Sequence, residues 1–192
     1  MRTTQHHTTM TNNKDMGELI APNTIQFTRM LPGPIERVWS YLVDPEKRSK
    51  WLASGAMEER LGGALRLEWL HRNMDVAPEP IPEKFKNLEN GHTMDSHITR
   101  FEPPRLLAFQ WGKRADALSE VIIELSEEDG RVRLTLTHAG LPSRGDLLGI
   151  SGGWHAHLDV LVEHLNGRTA TGFWARNAEL TAEYDQRIPR DS

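Results

Sequence analysis

The sequence predicts an α+β domain in which helices lie across a curved antiparallel sheet. Three observations predict it: a strand-like segment leads directly into two helical segments, a run of strand-like segments with turn signals follows, and a long amphipathic helix comes last. The chain has 192 residues, 38% of them hydrophobic and 26% charged, which suffices for one globular domain with an appendage. We expect this domain at residues 21–168, between a disordered tail at 1–20 and a helical extension at 169–192.

The composition excludes several classes of site and partner. There is no cysteine, so disulfides, thiolate metal sites and a cysteine nucleophile are excluded. With a net charge of -4, the chain lacks the excess of basic residues that is typical of a nucleic-acid-binding protein. No segment approaches the ~20 apolar residues of a membrane helix, and the polar start lacks the apolar centre of a signal peptide. We therefore expect a cytoplasmic protein with neither a nucleic-acid nor a membrane partner.

The first elements follow from local patterns. Residues 1–20 are rich in Thr, Asn and His without an apolar period, and His6-His7 there is a weak metal pair at most. Thr24–Leu31 alternates as a half-buried strand does. Gly33-Pro34 then predicts the start of a helix, and Asp44 before Pro45 predicts the N-cap of a second, short helix.

Six further strand-like runs follow these helices. Gly62-Gly63 indicates a hairpin between 56–61 and 64–71, and Asp129-Gly130 is the clearest hairpin signal in the chain. The proline-rich segment 72–91 is either a mobile lid or a disordered insertion, and the sequence leaves both open. The other predicted strands are Thr93–Phe101, Leu106–Trp111, Leu118–Ser126 and Arg131–His138.

Two helices are predicted at the end. Ser151–Leu165 carries one continuous apolar stripe, and Asn166-Gly167 ends it. We interpret Gly152-Gly153 as a hinge leading into this helix rather than as an anion-binding start. A weaker helical period over Phe173–Ile188 predicts a helix that docks on the domain or on a partner.

Several short motifs occur in a fixed order along the chain. They are Leu31–Trp39, Asp44-Pro45-Glu46 with Trp51-Leu52, Gly62-Gly63, Glu102–Leu106 before Trp111, and Gly153-Trp154. In this order they resemble the family named for the activator of the heat-shock-protein-90 ATPase, within the START-like (SRPBCC) superfamily. The resemblance covers about residues 22–168 and implies the helix-grip fold, a curved sheet gripping a long helix around a cavity for an apolar or amphipathic molecule.

Aromatic side chains on inward-facing positions are the main candidates for a binding site. The chain has six tryptophans, and large rings that converge on a sheet–helix interior leave irregular space of the kind that small-molecule pockets occupy. Ordinary core packing is the alternative for each ring. The predicted ligand-binding residues are Trp39, Trp51, Leu67, Trp69, His97, Phe109, Trp111, Ile123, Leu136, His138, Trp154, His157 and Leu161.

Histidines are the polar candidates. Strand parity places His138 on an apolar face, as a ligand anchor or as a core residue with a satisfied ring. His157 lies on the helical stripe, and the facing of His97 stays open. His155 would share a helix face with Asp159 opposite the stripe, where a solvated surface is favoured over a metal site. We predict neither a metal nor a cofactor.

The leading functional hypothesis is a non-enzymatic domain that binds a small hydrophobic or amphipathic molecule. No Walker or G-x-G-x-x-G motif occurs, which favours binding over turnover. The first alternative is an interaction module of the chaperone-activator kind, with a chaperone as partner and a stress-response role. The second is a small cyclase or hydrolase using an inward histidine. Homodimer formation is left open.

Overall fold

The computed structural model describes residues 15–112 and 118–190. Within these ranges the chain forms an antiparallel sheet, four α-helices and two 3₁₀ helices, at His71–Asn73 and Glu83–Leu88. The strands are β1 Glu18–Ala21, β2 Thr24–Pro32, β3 Ala64–Trp69, β4 His92–Glu102, β5 Leu106–Trp111, β6 Ser119–Glu128 and β7 Arg131–Ala139. The helices are α1 Ile35–Val43, α2 Pro45–Arg48, α3 Arg144–Leu165 and α4 Phe173–Arg187.

The sheet has the order β1-β2-β7-β6-β5-β4-β3. β2 comes early in the chain and β7 late, and the two strands pair from Ile25 to Pro32, with Ile25 opposite His138. Alternate residues of β7 are buried, and α3 packs across that face with Leu158 and Leu161 fully buried. The predicted α+β helix-grip architecture is therefore confirmed.

Two local predictions are confirmed by backbone geometry. Asp129 and Gly130 both have positive φ, 49° and 74°, which is the type I′ turn that suits a two-residue hairpin between β6 and β7. The Asp44 side chain accepts hydrogen bonds from the backbone N–H groups of Glu46 and Lys47, at 2.9 and 3.0 Å, and so caps α2.

The start of the chain is ordered earlier than the sequence predicts. The first three of the four residues of β1 lie in the range 1–20 predicted as a tail, and Met16 before them is buried. The Gly17 N–H donates to Tyr184 Oη at 2.7 Å, which attaches this segment to α4. The whole of β1 is exposed, so it carries no apolar alternation that the sequence could reveal. His6 and His7 lie outside the described residues.

The segment 72–91 is held against the end of the chain. Val76 forms a parallel bridge with Ala170, and the Ala77 N–H donates to the Ala170 carbonyl at 2.9 Å. The Glu79 carboxylate accepts hydrogen bonds from the backbone N–H groups of Trp174 and Ala175. This carboxylate therefore caps the first turn of α4, where the helix dipole favours negative charge.

Two predicted boundaries are wrong. α3 begins at Arg144, about two turns before Ser151, with Ser143 as its N-cap. Gly152-Gly153 lies inside this helix and is therefore not a hinge that leads into it. The two glycines interrupt the apolar stripe of the helix. The predicted strand at 56–61 is reduced to one isolated bridge, Met57 with Leu65, and a second bridge, Ser54 with Glu68, lies just before this range.

A buried arginine organises the turn after α2. Arg48 is 2% exposed, and its guanidinium donates to five backbone carbonyls. Burial lowers the pKa of Arg48 to about 10, so the group remains charged at neutral pH. The acceptors are Leu42, Val43, Ala53, Ser54 and Gly55, at 2.5 to 3.3 Å.

Replacing Arg48 with methionine should lower the free energy of unfolding by more than about 3 kcal/mol, because buried carbonyls would lose their donors. Arg48→Lys should recover only part of the loss, since an ammonium offers three donors in place of five. The control Arg66→Met, at an exposed ion pair, should cost about 1 kcal/mol or less. Urea unfolding measures all three, and wild-type stability of Arg48→Met would contradict this account.

Candidate functional site

An aromatic cavity lies at one end of the sheet, beside β3 and β5 and against α3 and α4. Its volume is about 230 Å³. A cavity of roughly 150 Å³ holds benzene, so this space suits a molecule of one or two rings. Its lining residues are Trp69, His71, Phe85, Leu88, His92, Trp111, Gly149, Ile150, Gly153, Trp154, His157, Phe173, Trp174 and Asn177.

The structure brings four of the sequence-predicted residues together in this wall: Trp69, Trp111, Trp154 and His157. The indoles of Trp69 and Trp111 meet edge to face at 5.6 Å, and Trp111 lies 5.4 Å from Trp154. Eight others do not line the cavity and are buried in the packed core. They are Trp39, Trp51, Leu67, Phe109, Ile123, Leu136, His138 and Leu161.

His97 faces away from the site. Its side chain is exposed, whereas Met94 and Ile98 on the same strand are buried. Alternation along β4 places His97 on the opposite face of the sheet from Ile98. Its inclusion among the ligand-binding residues is therefore corrected.

His138 orients a wall residue and is not itself available to a ligand. The Trp154 indole N–H donates to His138 Nδ1 at 3.0 Å, and Ser119 Oγ lies 2.7 Å from Nε2. Nδ1 is therefore the acceptor, and Nε2 carries the proton and donates to the hydroxyl. Burial lowers the pKa of His138 to about 3, so the ring is neutral. With both nitrogens engaged, His138 is neither an anchor nor a general base.

His157 is held differently. Its Nδ1 lies 2.7 Å from the Trp51 carbonyl, which can only accept, so Nδ1 carries the proton and Nε2 keeps a lone pair. The residue is 8% exposed and lines the cavity. Burial, with a smaller contribution from His71, lowers the pKa of His157 to about 3. His157 is therefore a neutral hydrogen-bond acceptor in the wall.

His71 is a wall residue that the sequence analysis did not select. Its ring lies 4.4 Å from Trp174 and 6.0 Å from His157. Within the described part of the chain, its buried Nδ1 has no hydrogen-bond partner, and burial lowers its pKa to about 4. Strand parity was the available signal, because it places His71 on the same face as Leu67 and Trp69.

The cover of the cavity combines two segments that the sequence placed outside the binding site. Phe85, on the second 3₁₀ helix, stacks on Trp174 of α4 at 4.8 Å. Phe173 lies 4.6 Å from His157. The Glu79 cap of α4 joins the two segments, and no local sequence pattern reports a contact between residues so far apart in the chain.

Two helical glycines leave the α3 side of the cavity open. Gly149 and Gly153 are one turn apart, and a Cβ built on either meets no atom within 4 Å. Gly152 differs, because its Cβ would lie 2.3 Å from Thr181 Oγ1 on α4. Close helix packing therefore explains Gly152, whereas the exposed Gly149 and the half-buried Gly153 form a bare strip where the lining of the cavity meets solvent.

A comparison with protein families identifies the fold's relatives. The family described as activator of Hsp90 ATPase homolog 1-like protein matches residues 32–166. The chain belongs to this family. The resemblance seen in the sequence is thereby confirmed. A search of curated proteins finds no match.

Solved structures extend this likeness. The protein encoded by gene BPP1335 of Bordetella parapertussis is 38% identical over 94% of this chain and 97% of that chain, with a TM-score of 0.78. CalU16 from Micromonospora echinospora is 22% identical over 90% and 94%, with a TM-score of 0.63. DynU16, from the dynemicin biosynthetic locus, is 18% identical over 77% and 49%, with a TM-score of 0.59. The last two share the fold.

In this Hsp90-activator-like domain the polar face of α3 is covered, which corrects the prediction for His155. That ring is fully buried, with Nδ1 2.9 Å from Tyr184 Oη on α4 and Nε2 3.5 Å from Asp159 Oδ1. Asp159 also pairs with Arg29 and Arg176, at 3.5 and 3.0 Å. The predicted solvated face is instead the surface on which α4 docks.

A second, polar cleft of about 860 Å³ lies beside α2 and the end of α3. There His164 Nδ1 lies 2.7 Å from Asp75 Oδ2, and its Nε2 lies 3.1 Å from Tyr41 Oη. These bonds tie the segment 72–91 to α1 and α3. In residues 15–112 and 118–190, no three His, Asp or Glu side chains gather as a metal site would require, and no helix is long and apolar enough to span a bilayer.

The buried rings of His138, His155 and His157 predict acid lability. Burial lowers their pKa values to about 3, 2 and 3, whereas an unfolded chain binds these protons near pH 6.5. The unfolded state therefore gains protons first as pH falls, and the stability present above about pH 6.5 is lost toward the native pKa values. Each ring contributes a slope of up to about 1.4 kcal/mol per pH unit.

Urea unfolding between about pH 7.5 and 4.5 checks this expectation. His155→Gln removes one titrating ring. It should reduce the change in the free energy of unfolding with pH by up to about 1.4 kcal/mol per pH unit. A free energy of unfolding that stays constant between about pH 6 and 5 would contradict neutral burial of the three rings.

Proposed function

We propose that this chain binds a small, planar, largely apolar molecule in the aromatic cavity. The observation that carries the proposal is the bare glycine strip at Gly149 and Gly153. Glycine inside a helix costs about 1 kcal/mol relative to alanine. Here a methyl group would meet no neighbour at either position. An occupant explains why this wall is left open.

The chemistry of the wall supports an aromatic occupant. Six aromatic rings surround the space, and they come from β3, β5, α3, α4 and the second 3₁₀ helix. Such rings contribute large apolar area and favour stacked or edge-to-face neighbours. Few polar groups reach the cavity, which is the composition of a small-molecule site. The volume of about 230 Å³ limits the occupant to one or two rings.

The cover supplies a route of entry. Phe85 and Trp174 close the outer side by stacking on each other, and the Glu79 cap fixes the start of α4. Parting this stack opens the cavity without disturbing the sheet. We infer that the segment 72–91 acts as the lid that the sequence left as one of two alternatives.

Binding without turnover fits the state of the histidines. The hypothesis of an enzyme with an inward histidine depended on His138, and both nitrogens of that ring are already engaged. A chaperone partner, a stress-response role, a homodimer and a cytoplasmic location stay predictions from the sequence.

Filling the strip tests the proposal. Gly153→Leu should place its side chain in the cavity, weaken binding of 2-naphthol or naphthalene at least about tenfold, and leave stability equal or higher because leucine is the better helix former. Gly145→Leu makes the same exchange in the same helix, at an exposed position away from the cavity, and should bind as the wild type does.

The measurement is an NMR titration of the tryptophan indole N–H signals. Binding should shift the signals of Trp69, Trp111, Trp154 and Trp174, and should leave those of Trp39 and Trp51 in place. Equal binding by Gly153→Leu and the wild type, or shifts confined to Trp39 and Trp51, would refute the proposal.

A further inference from the structure

Resting on the proposed function, we propose that the aromatic cavity selects a neutral ring that carries a hydrogen-bond donor, a phenol in chemical class. Nε2 of His157 accepts this hydrogen bond, and the ring of the ligand stacks among the cavity indoles.

The first step is the fixed tautomer of His157. The Trp51 carbonyl that Nδ1 contacts belongs to a fully buried residue, whose indole N–H in turn donates to the Tyr41 carbonyl at 2.9 Å. The core therefore sets the position of that acceptor. Because Nδ1 must donate to it, the lone pair is on Nε2, which points away from Trp51.

The second step is the absence of a competing donor among the residues described. No hydrogen bond to His157 Nε2 is formed there. The Trp154 ring is close, 6.5 Å from His157 between centroids, but its indole N–H is committed to His138 at 3.0 Å. Nε2 is not one of the fully buried atoms without a partner, so it stays accessible in the cavity wall, where a ligand hydroxyl can donate to it.

The third step is charge. Among the described residues that line the cavity, none is Lys, Arg, Asp or Glu. The nearby Glu79 carboxylate is engaged by backbone N–H groups of α4. Apart from the exposed imidazole of His92, no described side chain of the wall could compensate the desolvation of an ionised carboxylate, and none could compensate that of an ammonium. The imidazoles of His71 and His157 are themselves neutral near neutral pH, because burial lowers the pKa of each.

A matched set of naphthalenes tests the selection on the full chain near neutral pH. The probes are 2-naphthol, 2-methoxynaphthalene, naphthalene and 2-naphthoate. They share the bicyclic ring and differ in donor and charge. We expect 2-naphthol to bind about three- to tenfold more tightly than the methoxy compound and naphthalene, the worth of one hydrogen bond. The ionised 2-naphthoate should bind at least about tenfold more weakly than 2-naphthol.

Variants assign the effect to one nitrogen. His157→Phe should keep naphthalene binding and abolish the advantage of 2-naphthol, whereas His97→Phe on the exposed face should preserve that advantage. The Phe variant leaves the Trp51 carbonyl without its donor, so a second measurement uses the unmodified chain. In the imidazole ¹⁵N spectrum, 2-naphthol should shift Nε2 of His157 while Nδ1 stays protonated, and 2-methoxynaphthalene should leave Nε2 in place.

The outcomes separate this inference from the proposed function. Equal affinity for 2-naphthol and 2-methoxynaphthalene, with shifts of the cavity indoles, overturns the inference and supports an apolar site without a donor preference. Tightest binding of 2-naphthoate overturns it in favour of an anion site. Failure of all four probes to bind refutes the proposed function and the inference with it.

Discussion

The close approach of α4 to α3 at Gly152 is the constraint on which the site depends. A Cβ at this position would lie 2.3 Å from Thr181 Oγ1 and 2.9 Å from Asn177 Oδ1, so any other residue would force these side chains of α4 to move. That approach carries the first turn of α4, with Phe173 and Trp174, over the end of the sheet. Without it the sheet and α3 would form an open trough, and the aromatic cavity would have no cover.

Buried imidazoles fix the walls of this enclosure, and the bonds made by His138 and His157 also determine the tautomers of these two rings. His138 holds Trp154 in the wall, and His155 with Tyr184 holds α4 against α3. His157 is attached to the Trp51 carbonyl. Because buried polar groups must be paired, these contacts specify one arrangement of rings where apolar packing alone would allow several. The chemistry that the cavity offers therefore follows from the hydrogen bonds that hold it together.

Sequence periodicity predicted the sheet, the α2 cap and the β6–β7 hairpin because each depends on neighbouring residues. It also placed Trp69, Trp154 and His157 on inward faces. It could not separate these from Trp51 or Leu136, since alternation reports which face a side chain takes and not how much space lies in front of it. The cover was not predictable, because the contact between Glu79 and α4 joins distant parts of the chain. Because glycines interrupt the apolar stripe of α3, the sequence pattern also missed the first two turns of this helix.

The glycine strip distinguishes a site from an imperfectly packed core. A void left by weak packing would be expected where neighbouring side chains are flexible or ill-matched, and it would be filled at little cost. Here the open positions are two glycines one turn apart in a helix, where almost any other residue would stabilise the backbone. They face rings that are each oriented by a separate contact. Membership of the family shows the fold and does not specify the function, and in this chain the two helical glycines are the feature on which the proposed site rests.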